Sequence, residues 1–231
     1  MKPYLSKSRS AAITMIEVVV VVGVIGLLVA IYLFRPTDTN VKPNGRSRAQ
    51  TINCMNNLKE VGLAERIWEG DHGDKPPFAV STANGGSMEL AQTGDVVNTF
   101  LVMSNQLWTP KLLHCAADSH TTRAANFSTL SAQNISYFIG LNANEENFNG
   151  KLDRNQWPPD DFLSGDDNFK IGWWRAKSGL HVVPINASIA WTTDRHPSCG
   201  NILYVDGSAQ QMTTSRLVDS FHYGGTTMAI P

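Results

Sequence analysis

The sequence predicts an α+β fold carried on a membrane-spanning helix. Three features point there. Residues 13–34 form an apolar run with a single ionisable group, Glu17. Residues 46–68 follow, with apolar side chains recurring every three to four positions. The remainder consists of short runs rich in β-branched and aromatic residues, among them a hairpin signal at Asp206-Gly207.

Taken in order, residues 1–12 are a basic leader with Lys2, Lys7 and Arg9 and no acid. Basic flanks stay on the cytoplasmic side, so the chain beyond the apolar run is expected on the far side of the membrane. As a helix, residues 13–34 would span about 33 Å, enough for the hydrocarbon core. A secretory signal peptide fits poorly. The run ends in Tyr32-Leu33-Phe34-Arg35-Pro36, a poor peptidase site, and the small residues Ser10-Ala11-Ala12 come before it. Residues 35–47, with Pro36, Pro43, Asn44 and Gly45, read as a joint. Residues 48–231 form the globular domain, opening on an amphipathic helix over 46–68 marked by Ile52, Met55, Leu58, Val61 and Trp68.

Residues 96–107 predict a second, shorter helix. "KLLHC" (111–115) and "ISYFIGL" (135–141) predict strands. Residues 142–179, rich in Asn, Asp and Gly, read as a surface excursion holding Trp157, Trp173 and Trp174. "INASIAW" (185–191) places Ile185, Ala187, Ile189 and Trp191 on one face of a strand. "NILYVDGSAQQM" (201–212) predicts a hairpin, and residues 216–222 a terminal helix.

The chain has 231 residues, a net charge of −1 and 17% charged residues. Without a basic block outside the leader, nucleic-acid binding by counterion release is not expected. Three cysteines allow at most one disulfide.

Ala12, then Ile13-Thr14-Met15-Ile16-Glu17, resembles the processing segment of type IV prepilins and type II secretion pseudopilins. Ala12 stands where that family usually has Gly, and Ile13 where it usually has Phe. The resemblance implies cleavage between Ala12 and Ile13 by prepilin peptidase and N-methylation of Ile13. It also implies a pilin-like fold, with the amphipathic helix packed on a small antiparallel sheet. In a filament, Glu17 would meet the Ile13 ammonium of a neighbour and set the register. Thr14 belongs to the same segment, and Gly23 and Gly26 allow close helix approach. The implied partners are homo- and hetero-oligomeric pilin-like subunits, prepilin peptidase, an inner-membrane assembly platform and membrane lipid. "CMNNLKEVGLAERIWEGDHGDKPP", "LHCAADSH", "NISYFIGLNANE" and "HPSCGNILYVDGS" resemble pseudopilin-like proteins of verrucomicrobial and planctomycete-type bacteria. In the last of these, nine residues separate His196 from Asp206-Gly207, the H-X9-DG pattern of that group.

Other constellations are weaker. Asp194, His196 and Ser198 lie too close in sequence to imply a catalytic triad, and no nucleophile elbow surrounds the serine. A hydrogen bond from His196 to Asp206 across adjacent strands is expected instead. His114, Cys115 and His120, with Cys54 or Cys199, lack zinc-site spacing. Cys54 reads as a small buried hydrophobe, and a Cys115–Cys199 disulfide is open to an oxidising compartment. The acids of "DHGD" (71–74) and "PPDDFLSGDDN" (158–168) suggest calcium without an EF-hand register, and read as solvated turns. The tryptophans read as packing for a long loop, with a recognition surface as the alternative.

The resulting expectation is a structural subunit, not an enzyme and without a cofactor. It is held in a bacterial inner membrane with its domain in the periplasm, and is built into a pilus-like filament of type II secretion. The alternative is a membrane-anchored ligand-binding domain that does not polymerise.

Overall fold

The computed structural model describes residues 15–33, 45–143, 162–196, 198–222 and 224–231, without the side chains of 30–33. It divides into two compact units, residues 1–42 and 43–231. In the first, helix α1 runs Met15–Leu33. Its 19 residues rise about 28 Å at 1.5 Å each. Every described side chain on it is exposed. Among the described residues no helix is long and apolar enough to cross a membrane, and Ala12, Ile13 and Thr14 lie outside them.

The second unit is α+β with antiparallel sheets. Helix α2, Gly45–Asp71, is followed by three short helices: α3 (Met88–Ala91), α4 (Val96–Val102) and α5 (Ser104–Leu107). Five strands come next: β1 (Tyr137–Gly140), β2 (Phe162–Asp166), β3 (Phe169–Ile171), β4 (Trp174–Arg175) and β5 (Gly179–Val183). The chain ends with β6 (Ile189–Trp191), β7 (Cys199–Tyr204), β8 (Ala209–Thr213), α6 (Thr214–Ser220) and β9 (Thr226–Ile230). One sheet has the order β5-β9-β1-β2-β7-β8, and a smaller one the order β4-β3-β6.

Side-chain alternation along the strands splits the core in two. Tyr137, Ile139, Leu163, Leu203 and Ala229 face the α2 side. Phe138, Phe162, Ile202, Tyr204 and Met228 face the other, packed with Phe169, Trp191, Leu217 and Phe221 from the small sheet and α6. Phe169 meets Phe138 and Trp191 edge-on, with centroids 5.7 and 6.1 Å away. A sheet covered on both faces has strands that read as continuous apolar runs, as "SYFIG" and "NILYV" do.

On α2 the buried stripe is Cys54, Leu58, Val61, Ala64 and Trp68, spaced three to four apart. Gly62 lets the helix settle on β7, since a Cβ there would lie 2.9 Å from Leu203 Cδ1. Glu65 is buried on this face, and burial, with Glu69 nearby, holds its pKa well above the usual carboxylate range.

Several expectations are corrected. "KLLHC" is not a strand: Pro110 starts a 3-10 turn over Pro110–Leu113, its fixed φ suiting a first helical position. The helix over 96–107 breaks at Met103 into α4 and α5. The strand over 185–191 is reduced to β6, because Asn186 takes a positive φ of 58° in a turn. The excursion 142–179 contains β2, a fully buried central strand. The hairpin of β7 and β8 is present, but on three loop residues. Gly207 N–H donates to Tyr204 O, Tyr204 N–H to Ser208 O, and Gly207 has φ +80°. A left-handed glycine closing such a loop makes a bulge that a side chain would strain.

Candidate functional site

Two features of the chain invite a functional reading: helix α1, and a buried polar cluster in the second unit.

Apart from Glu17 and glycine, α1 consists of apolar residues, from Val18 through Val29 all exposed. Nothing lies within 4 Å of a Cβ built on Gly23 or Gly26. The helix therefore presents an uncovered apolar surface with two flat spots.

The buried cluster is built around Arg195, whose side chain is 2% exposed. Its Nη2 pairs with Asp118 and, at 2.6 Å, with Asp167. Its Nη1 donates to Ser136 O at 2.8 Å and lies 3.8 Å from Asp166 Oδ1. Ser136 Oγ donates to Asp118, completing a ring of segments from the 115–118 turn, β1, β2 and the loop before β7. Burial opposes ionisation of Asp118, but Arg195, the His120 N–H and the Ser136 hydroxyl outweigh it and lower its pKa. Burial prevails at Asp166 and Asp167, and both are raised to about 6 despite Arg195.

His196, fully buried, continues the cluster toward α2. Thr51 Oγ1 donates to Ser47 O at 3.1 Å, so it accepts from His196 Nδ1–H, also at 3.1 Å. That bonding assigns the lone pair to Nε2, which faces Asn201 Nδ2 at 3.4 Å. Asn201 in turn donates twice to Asp166 Oδ2, from its backbone N–H at 2.7 Å and its amide at 2.8 Å. Burial, with Arg195 adding to it, lowers the His196 pKa to about 4, so the ring is neutral at pH 7.

The sequence-predicted residues distribute differently from expectation. The partner of His196 is not Asp206. Asp206 is exposed in the hairpin loop and accepts from Ser208 N–H at 2.8 Å. The nine intervening residues carry the chain from a buried histidine along β7 to its turn, so the two ends of the motif do separate jobs. Nor does Asp194 meet His196: it binds Arg175 and Thr192, and lies 3.5 Å from His120. Ser198 is exposed with φ +54°.

The cysteine pairing is also corrected. Cys54 and Cys115 form a disulfide, and Cys199 is the free thiol, with Gln211 Nε2 donating to its sulfur. Cys54 faces Cys115 because its position on the buried stripe of α2 packs over the 110–115 turn. The ligand atoms of Cys54, Cys115 and His196 lie within 4.8 Å of one another. The two sulfurs are bonded to each other and offer no thiolate. His114 instead binds Thr121, and His120 faces Asp194.

Asp71 and Asp74 are exposed at the end of α2, as expected. Asp166 is not a solvated turn acid, and a guanidinium fills the cation position beside it and Asp167. Asp160 and Asp161 lie outside the described residues, as does Trp157. Trp173 and Trp174 are not packing: they are 94% and 79% exposed.

Arg195, Asp118 and Ser136 were not singled out by sequence reasoning. The one available signal was an Arg-His pair opening the H-X9-DG stretch, in a loop otherwise marked for turns. The cluster is buried apart from the edge of Asp167 and ties together segments distant in sequence, so its chemistry is that of a structural lock. Comparison with protein-family models, with curated proteins and with solved structures finds no match for this chain.

Proposed function

We propose that this chain is a structural subunit of a type IV pilin-like filament, a pseudopilin of type II protein secretion. The observation that carries the reading is α1: an apolar helix with an exposed surface and one acid, Glu17, in a chain whose basic leader runs into it through the Ala12-Ile13-Thr14-Met15-Ile16-Glu17 segment. Cleavage between Ala12 and Ile13 would free an α-amino group five positions from Glu17, counting both residues. A carboxylate and an ammonium in lipid are costly apart and tolerable together, so the pair would fix helix register between neighbours. Gly23 and Gly26, open on the surface of α1, would let the helices approach. The polar lock of the second unit supports this reading, because a subunit pulled from a membrane needs a domain that keeps its shape. The domain would lie in the periplasm, with residues 13–34 held in the inner membrane.

Two measurements test it. The mature chain isolated from membranes should begin at methylated Ile13 and contain 219 residues. Glu17→Ala should insert and fold as the native chain does, yet give far fewer crosslinked or shearable assemblies at matched membrane levels. An ammonium left unpaired in an apolar bundle costs several kcal/mol, roughly 3–5. Glu17→Gln should be intermediate. Equal assembly by the alanine variant would sink the reading and favour a membrane-anchored binding domain, the alternative supported by the exposure of Trp173 and Trp174.

A further inference from the structure

The hairpin of β3 and β4 turns on Gly172 and Trp173, with Ile171 paired to Trp174. Gly172 has φ +64° and Trp173 does not share the positive φ, as in a two-residue type II′ turn. Such a turn is stiff and matches the strand twist. It holds Trp173 at the tip and Trp174 at the start of β4, both in water. The indoles are adjacent on a rigid support, and one of them borders a groove.

The groove has a volume of about 530 Å³ and lies between β4, an edge of the small sheet, and β5, an edge of the large one. Ile171, Trp174 and Ala176 give it an apolar wall, while Arg175, Lys177 and His181 supply the polar groups. Among the described residues no acid lines it. The Arg175 guanidinium is held by Asp194, which also accepts from the Thr192 hydroxyl. His181 Nε2–H donates to Lys177 O at 2.6 Å, which fixes the ring and leaves Nδ1 for a ligand. Lys177 has no ion-pair partner among the described residues. Lys170 stands directly across from Arg175 in the β3–β4 register, and like charges so placed repel. Lys170 and Arg175 thus face each other across β3 and β4, Lys177 follows two residues on, and Asp194 pairs with Arg175, in a chain whose net charge is negative.

A flat, exposed indole beside Lys177 and the Asp194-held guanidinium of Arg175 matches a ligand with a flat apolar face and neighbouring anions. We infer that the groove between β4 and β5 binds an acidic polysaccharide: Trp174 stacks on a sugar ring while Arg175 and Lys177 take its carboxylates. A run of Asp or Glu supplies the charges without a ring to stack. A membrane surface would engage the tip residue Trp173 and leave the concave wall idle. The site does not depend on assembly, since a subunit unable to polymerise would retain it.

The test uses the full chain in nanodiscs of neutral lipid, titrated with oligogalacturonate and followed by calorimetry. Saturable binding is expected. Trp174→Ala and Lys177→Ala should each weaken it about tenfold, with unchanged melting temperatures because both side chains are exposed. A neutral dextran should bind at least about tenfold more weakly than the uronate. The proposal is overturned by no saturable binding, or by either variant binding as the native chain does. It is also overturned if poly-glutamate binds as tightly as the uronate. The same holds if phosphatidylglycerol nanodiscs abolish uronate binding in native protein but not in Trp173→Ala, which would assign the tip to lipid.

Discussion

Replacing Arg195 by Met tests whether the buried cluster is an energetic unit. The side chain is 2% exposed and faces Asp118, Asp166 and Asp167, with a further bond to Ser136 O. Methionine fills much of the same volume, so the loss is electrostatic rather than a cavity. Removing one partner of a buried ion pair costs about 3–5 kcal/mol, because the remaining charge is left without its counterion. For a unit of this size that lowers the melting temperature by about 6–20 °C. The loss should depend on pH. Arg195 is the strongest influence lowering the three carboxyl pKa values; without it the balance at each carboxyl shifts toward burial, against the hydrogen bonds that remain, and all three rise. Groups with raised folded pKa values hold extra protons in the native state. Their stabilisation is present below the unfolded pKa and is lost as pH rises through the folded one. The variant's deficit should therefore be small near pH 4 and grow through pH 8. The assay is thermal melting of the full chain in detergent, followed by near-ultraviolet circular dichroism at several pH values. Adding Asp118→Asn to Arg195→Met should restore part of the loss at pH 8. A deficit below about 1 kcal/mol at pH 8 would refute the reasoning, since that is within the range of an exposed pair. So would a deficit independent of pH.

Native protein should show one titratable thiol, Cys199, and a second and third only after reduction in denaturant. Replacing Cys54 and Cys115 by Ser removes a link across 61 residues and should cost about 4 kcal/mol on chain-entropy grounds. His196→Ala should cost about 2 kcal/mol or more, as a buried hydrogen-bonded ring is lost, whereas Asp206→Ala should cost about 1 kcal/mol or less. The two effects should add within about 0.5 kcal/mol, and a larger coupling in the double variant would reinstate direct contact between them. Glu65→Gln should raise the melting temperature at pH 8 and leave it nearly unchanged at pH 4. The native pKa of Glu65 is raised by burial, so the cost of ionising it in the fold appears only as pH rises through that pKa.

What could be read from the chain and what could not divide along the range of the interactions involved. Helix α2, β1 and the β7–β8 hairpin are written in spacing and turn residues within a few positions of one another. Strand β2 was missed for the opposite reason. "FLSGDD" ends in two acids, and two acids after a glycine read as a solvated turn unless a cation is known to wait there. That cation, Arg195, is 28 residues beyond Asp167 and belongs to a loop with no pattern of its own. The same holds for the disulfide. Cys54 reads as a core residue of α2 and is one, but which cysteine faces it depends on where the 110–115 turn packs. The His196 motif shows how a local pattern can still mislead: nine residues between histidine and Asp-Gly suggest a strand pair closing on itself. Five β7 positions, Cys199 to Leu203, are paired to β8, and Tyr204 N–H closes onto Ser208 O, so the aspartate lies at the far end of the hairpin from the histidine. A period-two strand puts residues of like parity on one face, but it also separates them along its axis by about 3.3 Å per residue. A histidine three residues before Cys199 and an aspartate two beyond Tyr204 are then too far apart to touch. The spacing instead measures one strand, from the polar lock that anchors its start to the glycine that turns its end.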